Sequence, residues 1–199
     1  MSVSLKKGEN VSLSKEDPSL DEVIIGLGWN VRTTDGEDFD LDASVFLLNS
    51  GGKTRTRDMS DFCFYSNPTI ADGAVAHQGD NRVGGAGGGD DDEQIVVKLS
   101  KLPSAIARVA LVITIYEARQ RRQNFGQVEN AFARIVNAKT GCEIARYDLT
   151  EDAATETAMT LGEVYRNGAD WKFKAVGQGF EGGLFKICQL YGVDAEDNG

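Results

Sequence analysis

Apolar residues arrive along the chain in short runs rich in β-branched and aromatic side chains. Val23–Gly28 (VIIGLG), Ser44–Leu48 (SVFLL), Phe62–Tyr65 (FCFY), Ile95–Leu99 (IVVKL) and Val109–Tyr116 (VALVITIY) come first. Phe132–Val136 (FARIV), Glu143–Tyr147 (EIARY), Ala158–Tyr165 (AMTLGEVY) and Trp171–Val176 (WKFKAV) follow. Most are too short for helices, and Gly, Asn, Asp or Ser close them, which predicts strands. In WKFKAV large apolar residues alternate with Lys, the mark of a strand with one wet face. Only Gly182–Tyr191 (GGLFKICQLY) has a helical stripe, through Leu184, Ile187, Cys188 and Tyr191. Leu102–Ala107 reads as a turn of helix after Pro103.

Nine strands and little helix predict an all-β fold, a two-sheet antiparallel β-sandwich with a short C-terminal helix. A closed barrel is the alternative. No solenoid-period repeat or linker divides the chain. Residues 1–192 are expected to form one domain and 193–199 a disordered tail. Ser50–Arg57 and Gly79–Asp92 read as long polar loops.

Composition agrees with a folded core: 41% of the 199 residues are hydrophobic, and 23 Gly against 3 Pro suit many tight turns. The formal charge is -10, from 31 acids and 21 bases. That balance disfavours nucleic acid and anionic membranes as partners and suits a cationic ligand. Three scattered cysteines and one histidine make a zinc site a poor fit and read as free thiols in a reducing compartment. MSVSLKKGENVSL lacks an apolar signal core, and no run approaches the ~20 residues of a membrane helix. The chain reads as soluble and cytoplasmic.

Two acidic stretches carry the candidate chemistry. In Asp35–Asp42 (DGEDFDLD), Asp38, Asp40 and Asp42 fall at alternate positions, so an extended chain places them on one face. Phe39 and Leu41 then point into a core. Neighbouring carboxylates ~7 Å apart repel by roughly 2 kcal/mol at an effective dielectric of 20. A partly buried row of them is unfavourable without a cation. Gly79–Glu93 (GDNRVGGAGGGDDDE) offers Asp80 and Asn81 at one end and Asp90, Asp91, Asp92 and Glu93 at the other. Oxygen donors on a flexible loop suit Ca²⁺, whereas Mg²⁺ demands stricter geometry and softer metals want His or Cys. Neither stretch has EF-hand spacing. A plain solvated loop is the competing reading, stronger for Asp90–Glu93 alone than for the two stretches together.

Other motifs are weaker. Gly177–Gly182 (GQGFEG) has the form of a dinucleotide loop, but it starts 23 residues from the chain end, too late for a βαβ unit. It reads as a Gly-rich turn that lets the final helix pack closely on the sheet. His77 has no local serine and acid to make a triad and reads as a loop-positioning or strand-edge residue. Arg119–Arg122 (RQRR) is read as the one basic cluster, a solvated face. Trp29 and Trp171 read as core anchors.

Several segments together resemble the TerD (tellurium-resistance) family. They are GLGWN (Gly26–Asn30), FDLDAS (Phe39–Ser44), HQGDN (His77–Asn81), NFGQVENAF (Asn124–Phe132), EIARYDL (Glu143–Leu149) and WKFKAVGQGFEGGL (Trp171–Leu184). Their order and spacing fit from residue 2 to residue 192. The resemblance implies a calcium-bound β-sandwich in a bacterial cytoplasmic stress protein linked to tellurite and chemical-damage resistance. It implies calcium ligands at Asp40, Asp42, Asp80, Asn81, Asp91, Asp92 and Glu93, with Asp90 as an alternate. Asn30 and Glu117 stand where the family often has Asp and are the candidates for a second ion. Val83 replaces an expected Thr, and the glycine run is longer than the family pattern. The expected cofactor is calcium, two ions. The expected partners are calcium and other stress-complex proteins, with no nucleic acid and no membrane insertion. The expected role is binding or scaffolding and not catalysis. A metal-dependent hydrolase using metal-bound water is the alternative.

Overall fold

The computed structural model describes residues 2–31, 39–79, 91–149 and 155–196. In chain order the elements are β1 (Val3–Leu5), β2 (Asn10–Ser12), the single-turn α1 (Leu13–Glu16), β3 (Glu22–Val31), β4 (Leu41–Leu48) and β5 (Phe62–Cys63). Next come β6 (Thr69–Ile70), β7 (Val75–His77), β8 (Glu93–Lys98), β9 (Arg108–Ile115) and α2 (Ala118–Arg121). The chain then forms β10 (Val128–Asn137), β11 (Glu143–Asp148), β12 (Ala158–Asn167), β13 (Asp170–Phe180) and α3 (Gly183–Tyr191).

The strands make two sheets. One runs β1-β11-β10-β3-β8-β7-β6 and the other β2-β13-β12-β9-β4-β5. Every strand pairing described is antiparallel except that of β1 with β11. All-β architecture in two sheets with a short C-terminal helix is therefore observed, and the open strand order replaces the closed-barrel alternative. Each predicted run lies in or overlaps a strand. β1, β2, β6 and β7, of three residues or fewer, were not anticipated. The segment after Pro103 forms a turn, with Ile106 N bonded to Pro103 O at 2.9 Å, and not a turn of helix.

Alternation builds the interior. Val23, Ile25 and Leu27 of β3 and Ile95 and Val97 of β8 share one core with Leu41, Ala43, Val45 and Leu47 of β4. The other face of β4 is also covered. Phe46 and Leu48 join Ala110 and Val112 of β9 beneath Ile187, Cys188 and Tyr191 of α3. Burial on both faces explains why SVFLL is continuously apolar while β13 alternates. Burying a side chain such as Ile187 contributes roughly 1.5–3 kcal/mol, which holds α3 in place. The tail expected to fray from residue 193 instead begins ordered. Val193 is buried, and Asp194 N donates to Arg57 O at 2.7 Å.

Candidate functional site

Strand alternation orients Glu93, and a bend at Asp92 separates it from Asp91. In β8, Glu93, Ile95 and Val97 point inward. Glu93 is thereby a carboxylate between the sheets, 2% exposed. Its Oε2 accepts the Ala43 N–H of β4, in the opposite sheet, at 2.5 Å. That N–H is available because the β4–β5 ladder covers only Val45 and Phe46. His77 Nε2 lies 3.5 Å from the same oxygen. His77 Nδ1 accepts Gly79 N–H at 3.2 Å, so in the neutral ring the proton sits on Nε2, facing Glu93. His77 thus orients the segment after β7 and braces Glu93, in keeping with the positioning role read from sequence.

Asp92 extends the β3–β8 ladder by one step. Its N–H donates to Leu27 O at 2.8 Å and its Oδ2 accepts Trp29 N–H at 2.9 Å. Asp91 points to the opposite face from Glu93. There it lies over Gly26, where an added Cβ would come within 2.3 Å of the carboxylate. Asp91 Oδ1 accepts Arg134 Nε–H at 2.7 Å and Oδ2 accepts the Gln94 amide at 2.9 Å. The hydrogen bond to Asp91 in turn raises the Arg134 guanidinium above its ordinary pKa. This cradle was not anticipated. Its sequence signal is the glycine opening GLGWN, the position a carboxylate must cross.

The first stretch behaves as its alternation predicts. Phe39 and Leu41 are buried, and Asp40 and Asp42 are half-buried. Asp40 O accepts Tyr116 N–H at 2.8 Å, tying β4 to the end of β9. Asn30, half-buried, is the last but one residue of β3 and pairs with Glu129. Strand order and register therefore place Asn30, Asp40, Asp42, Asp92 and Glu93 toward the same end of the sandwich, where β4 and β8 begin and β3, β7 and β9 end. Glu117 follows β9 with φ 49°, and its Oε2 lies 3.3 Å from Arg121 Nη2. Asp80, Asn81, Asp90, Asp38 and Val83 lie outside the described residues.

A TerD domain family model matches residues 1–191. The chain belongs to the TerD domain family. It is 57% identical over 196 residues to the tellurium resistance protein TerD of Serratia marcescens, covering 98% of this chain and 100% of that one. It is 50% identical over 194 residues to general stress protein 16U of Bacillus subtilis (strain 168), covering 97% and 98%. A crystal structure of a telluride resistance protein homologue from Streptomyces coelicolor A3(2) superposes with TM-score 0.67 at 22% identity, over 85% of this chain and 96% of that one, a likeness of fold.

The donors of this TerD domain suit a hard cation. They are carboxylates and an amide, and no cysteine sits among them. Burial pushes the Cys63 and Cys188 thiols up to about 11, so both stay protonated near neutrality. Among the described residues, no three acids, histidines or cysteines converge closely enough to hold an ion. Asp91 and Glu117 are engaged by arginines. The described donors fit calcium in kind and leave its cage to be completed. The GQGFEG segment of this TerD domain is mostly strand. Tyr147 crowds Gly177 and Glu156 crowds Gly179 at the Cβ positions, so strand and loop side chains make the close approach there, in place of the turn under the final helix expected from sequence. Among the described residues, no helix is long and apolar enough to cross a membrane.

Proposed function

We propose that this TerD-domain protein is a cytoplasmic, calcium-binding stress-response protein, active in tellurite tolerance as a binding module and not as a catalyst. Relatives spanning nearly the whole chain carry tellurium resistance and general stress in their names, which supports the role. The observation that carries the calcium reading is the Glu93–Ala43 bond. It joins the start of β8 to the start of β4, so both acidic stretches open onto one end of the sandwich. Asp40, Asp42 and Asp92 are the described ligands of this reading, with Asp80, Asn81 and Asp90 completing the set. Glu93 acts behind them as a brace. Calcium would supply the positive charge that lets the carboxylates stay close, and would stiffen the segments a partner protein reads. The hydrolase alternative needs a general base beside an open coordination position. The single histidine is instead buried against Glu93.

Calcium titrated into chelator-treated protein should give saturable heat in calorimetry. At a free concentration of 100 Kd it should add about 2.7 kcal/mol of stability, read as a rise in Tm. Asp40→Asn and Asp42→Asn should each weaken binding by roughly tenfold, about 1.4 kcal/mol. Identical melting curves with calcium and with chelator would end this reading.

A further inference from the structure

A second charged site follows the other end of β4 from the acidic stretch. Lys53, Arg55 and Arg57 alternate with threonines in the segment between β4 and β5. They line one wall of a cleft of about 600 Å³, whose other wall is Phe185 and Gln189 of α3 and the residues after it. Fixed bonds hold the walls together. Thr54 N–H donates to Tyr191 O at 2.9 Å, and buried Thr54 Oγ1 lies 3.2 Å from the same oxygen.

The three bases are not equivalent. Arg55 is committed, forking onto Asp61, a fully buried carboxylate. Lys53 Nζ donates to Leu190 O at 2.6 Å, a neutral acceptor at the helix end, and makes no ion pair among the described residues. Arg57 forks onto Asp194, through Nε at 3.0 Å to both oxygens and Nη2 at 2.5 Å. Both partners of that fork are open to water, at 80% and 64% side-chain exposure. An ion pair so exposed contributes little and is readily exchanged. Asp194 therefore occupies the guanidinium as any carboxylate or phosphate of the right size would.

We propose that this cleft binds an oxyanion. Arg57 is the exchangeable fork, Lys53 the second charge, Arg55 the fixed wall and Phe185 the apolar wall. Asp194 is a built-in placeholder that leaves when the ligand enters. With Arg55 matched by Asp61 and Arg57 by Asp194, Lys53 leaves these groups with one positive charge in excess in a chain of net charge -10, a local attraction for an anion. The site is independent of calcium.

The test is calorimetric titration of the full chain, in chelator and at low ionic strength, with inorganic phosphate, citrate and ATP. Arg57→Ala should weaken phosphate binding by roughly tenfold. Asp194→Ala should tighten it by roughly two- to fivefold, since it removes the competitor. A purely structural Arg57–Asp194 pair gives no such tightening. Equal affinity for phosphate and ATP assigns a free oxyanion. ATP binding tenfold tighter assigns a phosphorylated small molecule with its ring on Phe185. Tighter citrate assigns a carboxylate ligand. Absence of saturable binding in both wild type and Asp194→Ala overturns the proposal. So does binding that survives Arg57→Ala but is lost in Arg119→Ala/Arg122→Ala.

Discussion

The acids around the start of β8 and the bases between β4 and β5 are both runs of like charge, yet the fold handles them differently. Three consecutive acids go three ways. Asp91 meets Arg134, Asp92 prolongs a ladder with Trp29, and Glu93 crosses the core to Ala43. The bonds from Trp29 N–H to Asp92 and from Ala43 N–H to Glu93 come from neutral backbone groups, which hold a carboxylate in place without cancelling its charge. Arg55 and Arg57, by contrast, meet carboxylates, so their charge is largely matched. Counting charges along a sequence therefore says little about a site. What matters is whether each charge is answered by a dipole or by a counter-charge.

The largest test of that contrast is Glu93. Glu93→Ala strands the Ala43 N–H and the facing His77 inside the protein. Urea unfolding should show a loss of about 3 kcal/mol, with Glu93→Gln costing roughly half as much. A change in Glu93→Ala within about 0.5 kcal/mol, the range of an ordinary surface substitution, would mean that the inter-sheet bond holds nothing together.

Next is the cradle of Asp91. Asp91→Ala breaks the pair with Arg134 and should cost about 1–3 kcal/mol, while leaving calcium affinity unchanged. Gly26→Ala should cost a similar amount, because its Cβ and the Asp91 carboxylate cannot coexist. Combining the two should cost clearly less than their sum, since each removes the same contact. Strict additivity in the double variant would show that Gly26 and Asp91 do not act through one contact, and a drop in calcium affinity with Asp91→Ala would place Asp91 back among the ligands.

How much of this was legible beforehand follows from where the determining contacts lie. The sandwich was readable because β-branched runs and Gly-marked turns are local. Phe39 and Leu41 pointing inward, with Asp40 and Asp42 on the other face, followed from alternation alone. Counting back from Val97 and Ile95 by the same alternation turns Glu93 inward but would turn Asp91 inward too; the bend at Asp92 breaks the alternation and sends Asp91 to the outer face. Treating Gly79–Glu93 as one loop concealed the inward turn of Glu93, and naming Arg134 as the partner of Asp91 needs the β10–β3–β8 order, which no local pattern carries. β1 and β2 were missed because three-residue strands such as VSL and NVS have no period to read. The basic cleft was missed because RQRR was taken as the one basic cluster. Lys53, Thr54 and Arg57 find their partners 137 residues later, in α3 and the tail.

The smallest expected effect bears on Glu117, a ligand candidate from sequence that the structure, as with Asp91, pairs with an arginine. Its backbone is left-handed, which turns the chain into α2 and brings Arg121 back over both the carboxylate and the Tyr116 ring, 5.1 Å from the centroid. That geometry serves the turn. Glu117→Gln should therefore change stability by only about 0.3–0.5 kcal/mol, as for other exposed pairs four residues apart. It should also leave the calcium stoichiometry in calorimetry unchanged. Loss of one bound ion in this variant would show that Arg121 yields the carboxylate to metal. The line between charges answered by dipoles and charges answered by counter-charges would then fail at the site where it matters most.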